Sequence, residues 1–322
     1  MTKPKEHTIE IKRYACGQAD EWDRFVERSR NGTFLHKRGY MEYHADRFDD
    51  HSLMFYNCGE LIAAMPAHIK ERAFCSHNGL TYGGLLLHND ATAETTLNLF
   101  EALKEYLSRE TEAREIIYRP APHIYHRYPS EEDLYALFRN RARVTECKVS
   151  SAINLNSPLP FKGRRKLTAA MKSRLHIIEE ENYRTFWNML DNRLQSKYGV
   201  APVHTIEEIE LLHSRFPDNI KLYIVNDADG NILGGTVLYI TDKVVHMQYS
   251  ATTDEGRRTS ALDYLYEYLI GKYAGKSYFD FGISVENGGQ YLNTGLISYK
   301  ERLGGRGVTY NTYVIDLKTT ER

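Results

Sequence analysis

The chain has 322 residues, of which 42% are hydrophobic and 26% are charged, as in an ordinary soluble globular protein of one large or two medium-sized domains. Its 42 Lys and Arg residues nearly balance its 43 Asp and Glu residues, which leaves a formal charge of −1. This balance excludes a general electrostatic attraction to nucleic acid or to an anionic membrane. We therefore expect no DNA partner, and any anion must bind at a local site.

The sequence shows no sign of secretion or of membrane insertion. Residues 1–30 carry charges throughout and lack the apolar core of a signal peptide. No stretch approaches the roughly 18 apolar residues that span a bilayer. The cysteines are scattered without a CxxC pair, which is typical of reduced thiols. They are Cys16, Cys58, Cys75 and Cys147. We therefore expect a cytoplasmic protein.

The first half of the chain alternates helix and strand patterns. Apolar periodicity and turn residues predict helices over 21–29, 33–48, 92–107 and 131–139, and strands over 53–56, 61–69, 80–87, 116–118 and 149–155. Pro120 and Pro122 exclude a helix directly after the strand at 116–118.

The second half repeats this order. The same signals predict helices over 186–197, 206–215, 258–273 and 291–303, and strands over 221–225, 232–240, 243–251, 278–281 and 308–317. Residues 227–230 read DADG, which predicts a hairpin turn between the first two of these strands.

The two halves align with each other. Residues 115–155 match residues 277–317 without a gap, and the elements follow in the same order, although identity is low. We interpret this as a duplicated unit of meander strands, helix, strand, helix and strand. The predicted fold class is therefore α/β, with mixed α+β sheets, in an N-terminal domain over 1–157 and a C-terminal domain over 184–322.

Residues 158–183 connect the halves and are rich in basic side chains. Apolar residues recur at helical spacing there, which predicts a connecting helix with Arg165 and Lys172 two turns apart on another face. Two interpretations stay open for this face. It is either an ordinary solvated surface or a phosphate-facing one, because Arg can bind phosphate oxygens bidentately.

Several motifs resemble those of one protein family. YFDFG at Tyr278–Gly282, followed by GLISYKERLGG at 295–305, resembles the strand and helix signature of the FemAB (Fem-type) peptidyl- and acyltransferases. The segments GTFLHKRGYMEYHADRF, GRRKLTAAMKSRL and KYGVAPVH resemble further motifs of the same group, in the same order. The resemblance therefore covers nearly the whole chain.

This resemblance implies two tandem domains of the GNAT (acyl-CoA N-acyltransferase) type and transfer of an acyl or aminoacyl group to an amine. The acceptor would be a small molecule, such as a sugar nucleotide or a cell-wall or polysaccharide precursor. Lys300 lies on the family's helix lysine, where a cation would stabilise the oxyanion formed as the amine attacks. Its counterpart in the first half is Phe138, so the C-terminal domain would carry the active site.

Asp280 and Tyr249 complete the predicted catalytic set, because they lie at the ends of adjacent predicted strands. Asp280 would orient the amine or take its proton through water. Each residue also has an ordinary interpretation. Lys300 would then be a solvent lysine paired with Glu301, Asp280 a cap for Asn293 or the following turn, and Tyr249 a packing residue.

The acceptor is expected to bind residues from several motifs. Arg165 and Lys172 would meet its phosphate groups. His36 and Tyr40, which replace the Gln and Trp common in the family, and Tyr299 beside the helix lysine are further predicted contacts.

A polar loop after the strand that ends near Tyr249 is the predicted donor site. Backbone N–H groups and the helix dipole at Thr259 would hold a pyrophosphate there, with charge added by Arg257 and Arg258. The loop sequence DEGRRTSA departs from the usual Q/R-x-x-G-x-G/A pattern of GNAT proteins. This departure weakens the prediction of a coenzyme A site.

Between the two donors, we favour an acyl-CoA such as acetyl-CoA as co-substrate over aminoacyl-tRNA. Fem-type users of tRNA often carry a coiled-coil insertion, which is not found in this sequence, and the neutral charge offers no broad phosphate-binding surface. No tightly bound cofactor is expected. No metal is expected either, since the HxxH pair His123 and His126 has no carboxylate or cysteine companion close by.

A second hypothesis is a non-catalytic binding module that retains the cleft but has lost turnover. The degenerate donor loop motivates it. Replacing Lys300 by Ala would separate the two hypotheses, because only an enzyme has a rate to lose.

Overall fold

The structure of the protein is a computed structural model that describes residues 9–160 and 167–317. Residue contacts divide it into two compact units. The first unit consists of the described residues up to Lys148 together with those from Thr309 onward. The second unit is Val149–Val308.

The first unit begins with short helices and strands and continues through a long helix. In chain order its elements are β1 (Ile9–Arg13), α1 (Ala19–Arg28), α2 (Arg38–Met41), β2 (Leu53–Asn57), β3 (Glu60–Met65), β4 (His68–Lys70), β5 (Ala73–Cys75), β6 (Leu86–Leu87), α3 (Ala93–Glu110), β7 (Glu115–Tyr118), α4 (Glu132–Arg139) and the start of β8 (Arg143–Asn154). The expected helix over 33–48 is shorter and broken, with single turns on both sides of α2.

Helix α3 forms the centre of the first unit's core. Thr92 caps its first turn by accepting the backbone N–H of Thr95. Leu99, Phe100 and Leu103 recur at helical spacing and are at most 2% exposed. They pack against residues of the meander β1-β2-β3-β6 and of the strand group β4-β5-β7, so apolar burial holds the unit together.

The second unit supplies the remaining elements. They are α5 (Ala169–Lys172), β9 (His176–Glu180), α6 (Arg184–Tyr198), α7 (Ile206–Arg215), β10 (Ile220–Asn226), β11 (Ile232–Ile240), β12 (Val244–Thr252), α8 (Asp254–Thr259), α9 (Ala261–Lys272), β13 (Tyr278–Ile283), β14 (Val285–Glu286), β15 (Tyr291–Leu292), α10 (Thr294–Arg302) and β16 (Arg306–Asp316), whose last part belongs to the first unit.

The strands of the second unit lie in the order β8-β13-β12-β11-β10-β9. All neighbours are antiparallel except β12 and β13, which are parallel. Helix α9 packs on this sheet through Leu265 and Leu269, which are fully buried. The predicted turn between β10 and β11 is confirmed, with Asp227 accepting the backbone N–H groups of Asp229 and Asn231.

The duplication predicted from the sequence is confirmed in the order of elements. The alignment of 115–155 with 277–317 places β7 on β13, α4 on α10 and β8 on β16. In the first unit β7 pairs with β16, and in the second unit β13 pairs with β8. Each unit is therefore closed by the last strand of the other repeat, which explains why the units do not coincide with the domain boundaries expected after residues 157 and 183.

The connecting helix expected over 158–183 is wrong in the described part of that segment. Helix α5 is a single turn capped by Thr168, and His176–Glu180 forms strand β9. Ile177 lies opposite Val225 of β10. Pairing with this strand therefore decides the conformation of the segment, although its apolar residues recur at helical spacing. Arg165 lies outside the described residues.

In the described part of the chain, the helices fall short of the length and apolar character that crossing a bilayer requires.

Candidate active site

The site is built where two parallel strands separate. β12 and β13 are paired over three positions and the ladder ends at His246 and Asp280. Beyond this position β12 stays paired with β11 as far as Thr252, whereas β13 continues beside β8 as far as Ile283. The two strands therefore enclose a wedge that opens past His246 and Asp280.

Gly282 produces the change of direction in β13. Its φ is +76°, a conformation that costs a side chain energy, and the register of β13 on β8 shifts between Asp280 and Ile283. The backbone N–H of Gly282 donates to Asp280 Oδ1 at 3.0 Å, which fixes the turn to the carboxylate. The glycine of the YFDFG motif is thus required by the backbone.

Asp280 is fully buried and orients His246. His246 Nδ1 lies 2.9 Å from Asp280 Oδ2, and the hydroxyl of Ser150 donates to Oδ1 of the same carboxylate. Because a carboxylate only accepts hydrogen bonds, Nδ1 of His246 carries the proton and Nε2 is the basic nitrogen. The His246 side chain is 13% exposed. This arrangement suits a general base whose orientation is held by an aspartate.

Lys300 lies on α10, which begins with Asn293 accepting the backbone N–H of Leu296. Its side chain is nearly buried, and Nζ donates to the carbonyl oxygens of Gly282 and Ile283, both at 2.8 Å. Burial lowers the pKa of Lys300 to about 8, against the opposing effect of the Asp280 charge. Lys300 is therefore not a solvent lysine, and two of its three N–H groups hold the turned end of β13.

Tyr249 lies on the same face of β12 as His246. An extra residue, Gln248, bulges from this strand, so that His246 and Tyr249 oppose Tyr239 and Val237, which are two residues apart on β11. The Tyr249 hydroxyl accepts the backbone N–H of His204 at 3.3 Å and also contacts His204 Nδ1.

Two predicted acceptor-binding residues are engaged by helix α9. Lys172 Nζ donates to Glu267 at 3.2 Å, and the hydroxyl of Tyr299 donates to Asp263 at 2.6 Å. Burial is the main cause that raises the pKa of Tyr299, with Tyr266 and Asp263 adding to it. Both side chains therefore bind carboxylates of α9, and neither forms a hydrogen bond with His246 or Asp280 in the described structure.

The predicted donor residues lie on α8 and are paired within that helix. Arg257 contacts Asp254, Arg258 lies 2.6 Å from Glu255, and the hydroxyl of Thr259 donates to the carbonyl of Glu255 at 2.9 Å. The first turn thus carries two carboxylates, which oppose a pyrophosphate at that helix end. The role of these residues in donor binding stays a prediction.

His36 and Tyr40 are core residues of the first unit. His36 Nδ1 accepts the backbone N–H of Thr33 at 3.0 Å, and burial lowers the pKa of His36 to about 4. Tyr40 is 3% exposed and packs edge-on against Phe34. Their predicted contact with an acceptor also stays a prediction.

His246 and Ser150 were missed from the sequence. A strand histidine gives no local signal, and only the parallel register places it opposite Asp280. In the described part of the chain no three His, Cys, Asp or Glu residues come close enough to hold a metal ion.

Comparisons with known proteins concern the fold that holds this site. Residues 162–300 match the family model described as acetyltransferase (GNAT) domain. A search of curated protein sequences finds no match to the chain.

Three solved structures share the fold over nearly their full length. The crystal structure of FemX is 14% identical, with a TM-score of 0.67, and the match covers 95% of this chain and 97% of FemX. L-PGS from Bacillus licheniformis is 13% identical, with a TM-score of 0.54 and coverage of 91% and 90%. A tandem GNAT protein from the clavulanic acid biosynthesis pathway is 10% identical, with a TM-score of 0.53 and coverage of 98% and 100%.

The fold expected from the Fem-type resemblance is thus confirmed: residues 162–300 match the model of an acetyltransferase (GNAT) domain, and the chain is similar in fold to FemX and to a tandem GNAT protein.

Proposed function

We propose that the second unit transfers an acyl group to the amine of a small acceptor, with the reaction at the open end of the wedge between β12 and β13. The observation that carries this proposal is the pairing of His246 with buried Asp280 beside the buried ammonium of Lys300. A base that takes the proton of the amine and a cation that stabilises the oxyanion both accelerate amide formation.

His246 would take the proton that the attacking amine loses. The amine nitrogen forms a bond to the carbonyl carbon of a thioester, the carbon–sulfur bond breaks, and the thiol leaves with the proton that His246 returns. The products are an amide and a free thiol, so no oxidant or metal is needed. Asp280 stabilises the imidazolium that forms in between.

Lys300 would act on the carbonyl oxygen. Two of its N–H groups bind Gly282 and Ile283, and the third is the donor that would meet the developing oxyanion. The same contacts keep the turned end of β13 in place. Lys300 is thus proposed as a catalytic residue.

The donor that we favour is acyl-CoA, because the matched family model describes an acetyltransferase domain. The two carboxylates on the first turn of α8 argue against a standard pyrophosphate site, so aminoacyl-tRNA remains the competing donor. The resemblance to Fem-type enzymes supports an amine on a sugar nucleotide or a cell-wall precursor as acceptor.

The test is an acyl-transfer assay with acetyl-CoA or aminoacyl-tRNA as donor and a panel of amino sugars, nucleotide-linked amino sugars and peptide amines as acceptors. His246→Gln should lower kcat by about 10²–10⁴-fold, as expected for loss of a general base. His176→Gln is the matched control, since His176 is exposed on β9 of the same unit.

Lys300→Ala should lower kcat by about 10²–10³-fold, as for loss of an oxyanion donor, with a smaller change in KM. Lys70→Ala, at the exposed end of β4, is its control. Turnover that survives both His246→Gln and Lys300→Ala at the wild-type rate would place the chemistry elsewhere. Binding of a donor without turnover on any acceptor would favour a binding module.

A further inference from the structure

A small pocket of about 60 Å³ lies in the first unit, at the end of β7. Its lining runs from Pro120 through the loop that leads into α4 and includes residues of β16 in the first unit. In the duplicated pattern this is the counterpart of the place that Lys300 occupies in the second unit. The equivalent of Lys300 is Phe138, which carries no charge and is 75% exposed. That position therefore supplies no cation to the pocket.

His126 offers this pocket a basic nitrogen. Its Nε2 lies 2.9 Å from the carbonyl oxygen of Ala121, so Nε2 carries the proton and Nδ1 is an acceptor. Nδ1 is buried and has no hydrogen-bond partner among the described residues. Burial lowers the pKa of His126, which keeps the ring neutral at physiological pH.

Asn311 offers a second acceptor. Its Nδ2 donates to the Tyr313 hydroxyl at 3.2 Å, whereas Oδ1 is buried and has no partner within the described ranges. A buried acceptor that lacks a hydrogen bond is costly, and two residues that line one pocket each hold such an atom. A ligand with hydrogen-bond donors would therefore suit this pocket.

Asp133 sets the charge of the pocket. It is 4% exposed and accepts the Tyr118 hydroxyl and the backbone N–H of Leu134, both at 2.8 Å. Burial raises its pKa to about 6, so it is ionised at pH 7.5. Glu131 also lines the pocket, and the lining contains neither Lys nor Arg. The residues that line the pocket thus carry a net negative charge.

We propose that this pocket binds the primary ammonium group of a small amine. An ammonium carries three N–H donors and one positive charge, which matches the free nitrogen of His126, the free oxygen of Asn311 and the carboxylate of Asp133. The walls at Pro120 and Leu134 are apolar and suit a short alkyl chain. A metal ion is a poorer match, because the described residues contain no group of metal ligands.

The test uses the full chain and n-propylammonium chloride as the probe. Titration calorimetry and the His126 ring resonances in NMR should show saturable binding at pH 7.5, and the melting temperature should rise. Tetramethylammonium chloride has the same charge but no N–H donor, so it should produce neither effect. Sodium chloride at equal concentration controls for ionic strength.

Asn311→Leu and His126→Phe should each weaken propylammonium binding at least about tenfold, the usual effect of losing a hydrogen bond to a charged group. Phe138→Ser, at the exposed equivalent of Lys300, should bind as the wild type does. If a variant fails to fold, the wild-type comparison of propylammonium with tetramethylammonium still decides. An equal response to both salts, or no response of His126 to either, would mean that water alone fills the pocket and would overturn the proposal.

Discussion

His246 and Asp280 face each other at the last paired position of the parallel strands β12 and β13, with Nδ1 2.9 Å from Oδ2. Beyond this pair the strands separate. The imidazole is therefore fixed at the point where a substrate can first enter between two neighbouring strands, and its orientation comes from a carboxylate that solvent does not reach.

Replacing Asp280 by Asn should lower kcat to nearly the value of His246→Gln. The amide can still accept from Gly282 and Ser150, but its NH₂ group would donate to Nδ1 and force the proton of His246 onto Nε2, which then cannot act as a base. The loss should be about 10²–10⁴-fold in kcat. Steady-state kinetics measures it, and nitrogen NMR of the imidazole reports the tautomer.

Asp229→Asn, in the exposed turn after β10, is the control for this substitution. An Asp280→Asn variant with the wild-type tautomer and a lost rate would show that the carboxylate acts directly rather than through His246.

Lys300 should impose an alkaline limit on the reaction. Its pKa is lowered to about 8, mainly by burial, so the ammonium loses its proton well below the usual range of a lysine. Because only the charged form stabilises an oxyanion, kcat should fall as the pH rises through about 8. A pH–rate profile measures this fall.

Lys300→Arg keeps its charge at all accessible pH values and should lose the alkaline fall, even if its rate is lower. A wild-type profile that is flat up to pH 10 would contradict the role of Lys300.

The sequence predicted the helices and strands of this site better than the contacts between its side chains. The sequence alone predicts the YFDFG strand, the helix of Lys300 and the duplication. Strand alternation, helical spacing and glycine turns depend on residues that are close together in the sequence. The pairing of His246 with Asp280 depends on a parallel register between segments that α8 and α9 separate. Such a register is not encoded locally.

In the segment after residue 167, a local pattern predicted the wrong secondary structure. Its apolar residues recur at helical spacing, yet Ile177 and its neighbours form β9, because an unpaired edge of β10 offers backbone hydrogen bonds. In the same way, α8 pairs its arginines with its own acidic residues, a competition for Arg257 and Arg258 that a motif comparison does not weigh.

The first unit should lose stability in mild acid because of a histidine cluster, His44, His68 and His77. Their rings lie 5.3 and 5.5 Å from one another around His77, and all three are at most 3% exposed. Burial is the main cause that lowers their pKa values, to about 4 for His44 and His68 and about 3 for His77. Arg47 and Arg119 lower them further.

The sign of this effect follows from linkage. In the unfolded chain these histidines take up a proton near pH 6.5, whereas in the folded chain they stay neutral until about pH 4. Their contribution is fully present above pH 6.5 and is lost as the pH falls toward 4, by up to about 1.4 kcal/mol per pH unit for each histidine.

Urea unfolding of a Trp187→Phe background, followed by Trp22 fluorescence, measures the first unit. His44→Phe should make the free energy of unfolding less sensitive to pH between 6.5 and 4.5, while His176→Phe should not. Equal pH slopes in all three proteins would exclude the cluster as the cause.

Gly282→Ala should cost stability and activity together. An added methyl group has room, since its nearest neighbours would be the Met247 carbonyl oxygen at 3.5 Å and His246 Cε1 at 3.6 Å. The φ of +76° is the obstacle, at about 1–2 kcal/mol for a residue with a side chain. Relief of this strain would move the carbonyl that Lys300 binds, so kcat should fall more than KM changes.

Gly230→Ala, at φ +84° in the exposed turn before β11, carries the same backbone strain far from His246 along the strand and serves as its control. It should lower the melting temperature by a similar amount and leave kcat unchanged. A Gly282→Ala enzyme with full activity would show that the turned end of β13 is not needed for turnover.

Combining His246→Gln with Asp280→Asn should give a double variant scarcely slower than either single one. If the carboxylate acts only by holding the imidazole, removing it has no further effect once the imidazole is gone, so the two losses in activation free energy do not add. Independent roles, with Asp280 meeting the amine through water, would multiply the two rate losses instead. The ratio of kcat values in this four-protein cycle therefore separates an aspartate that positions His246 from one that takes the proton itself.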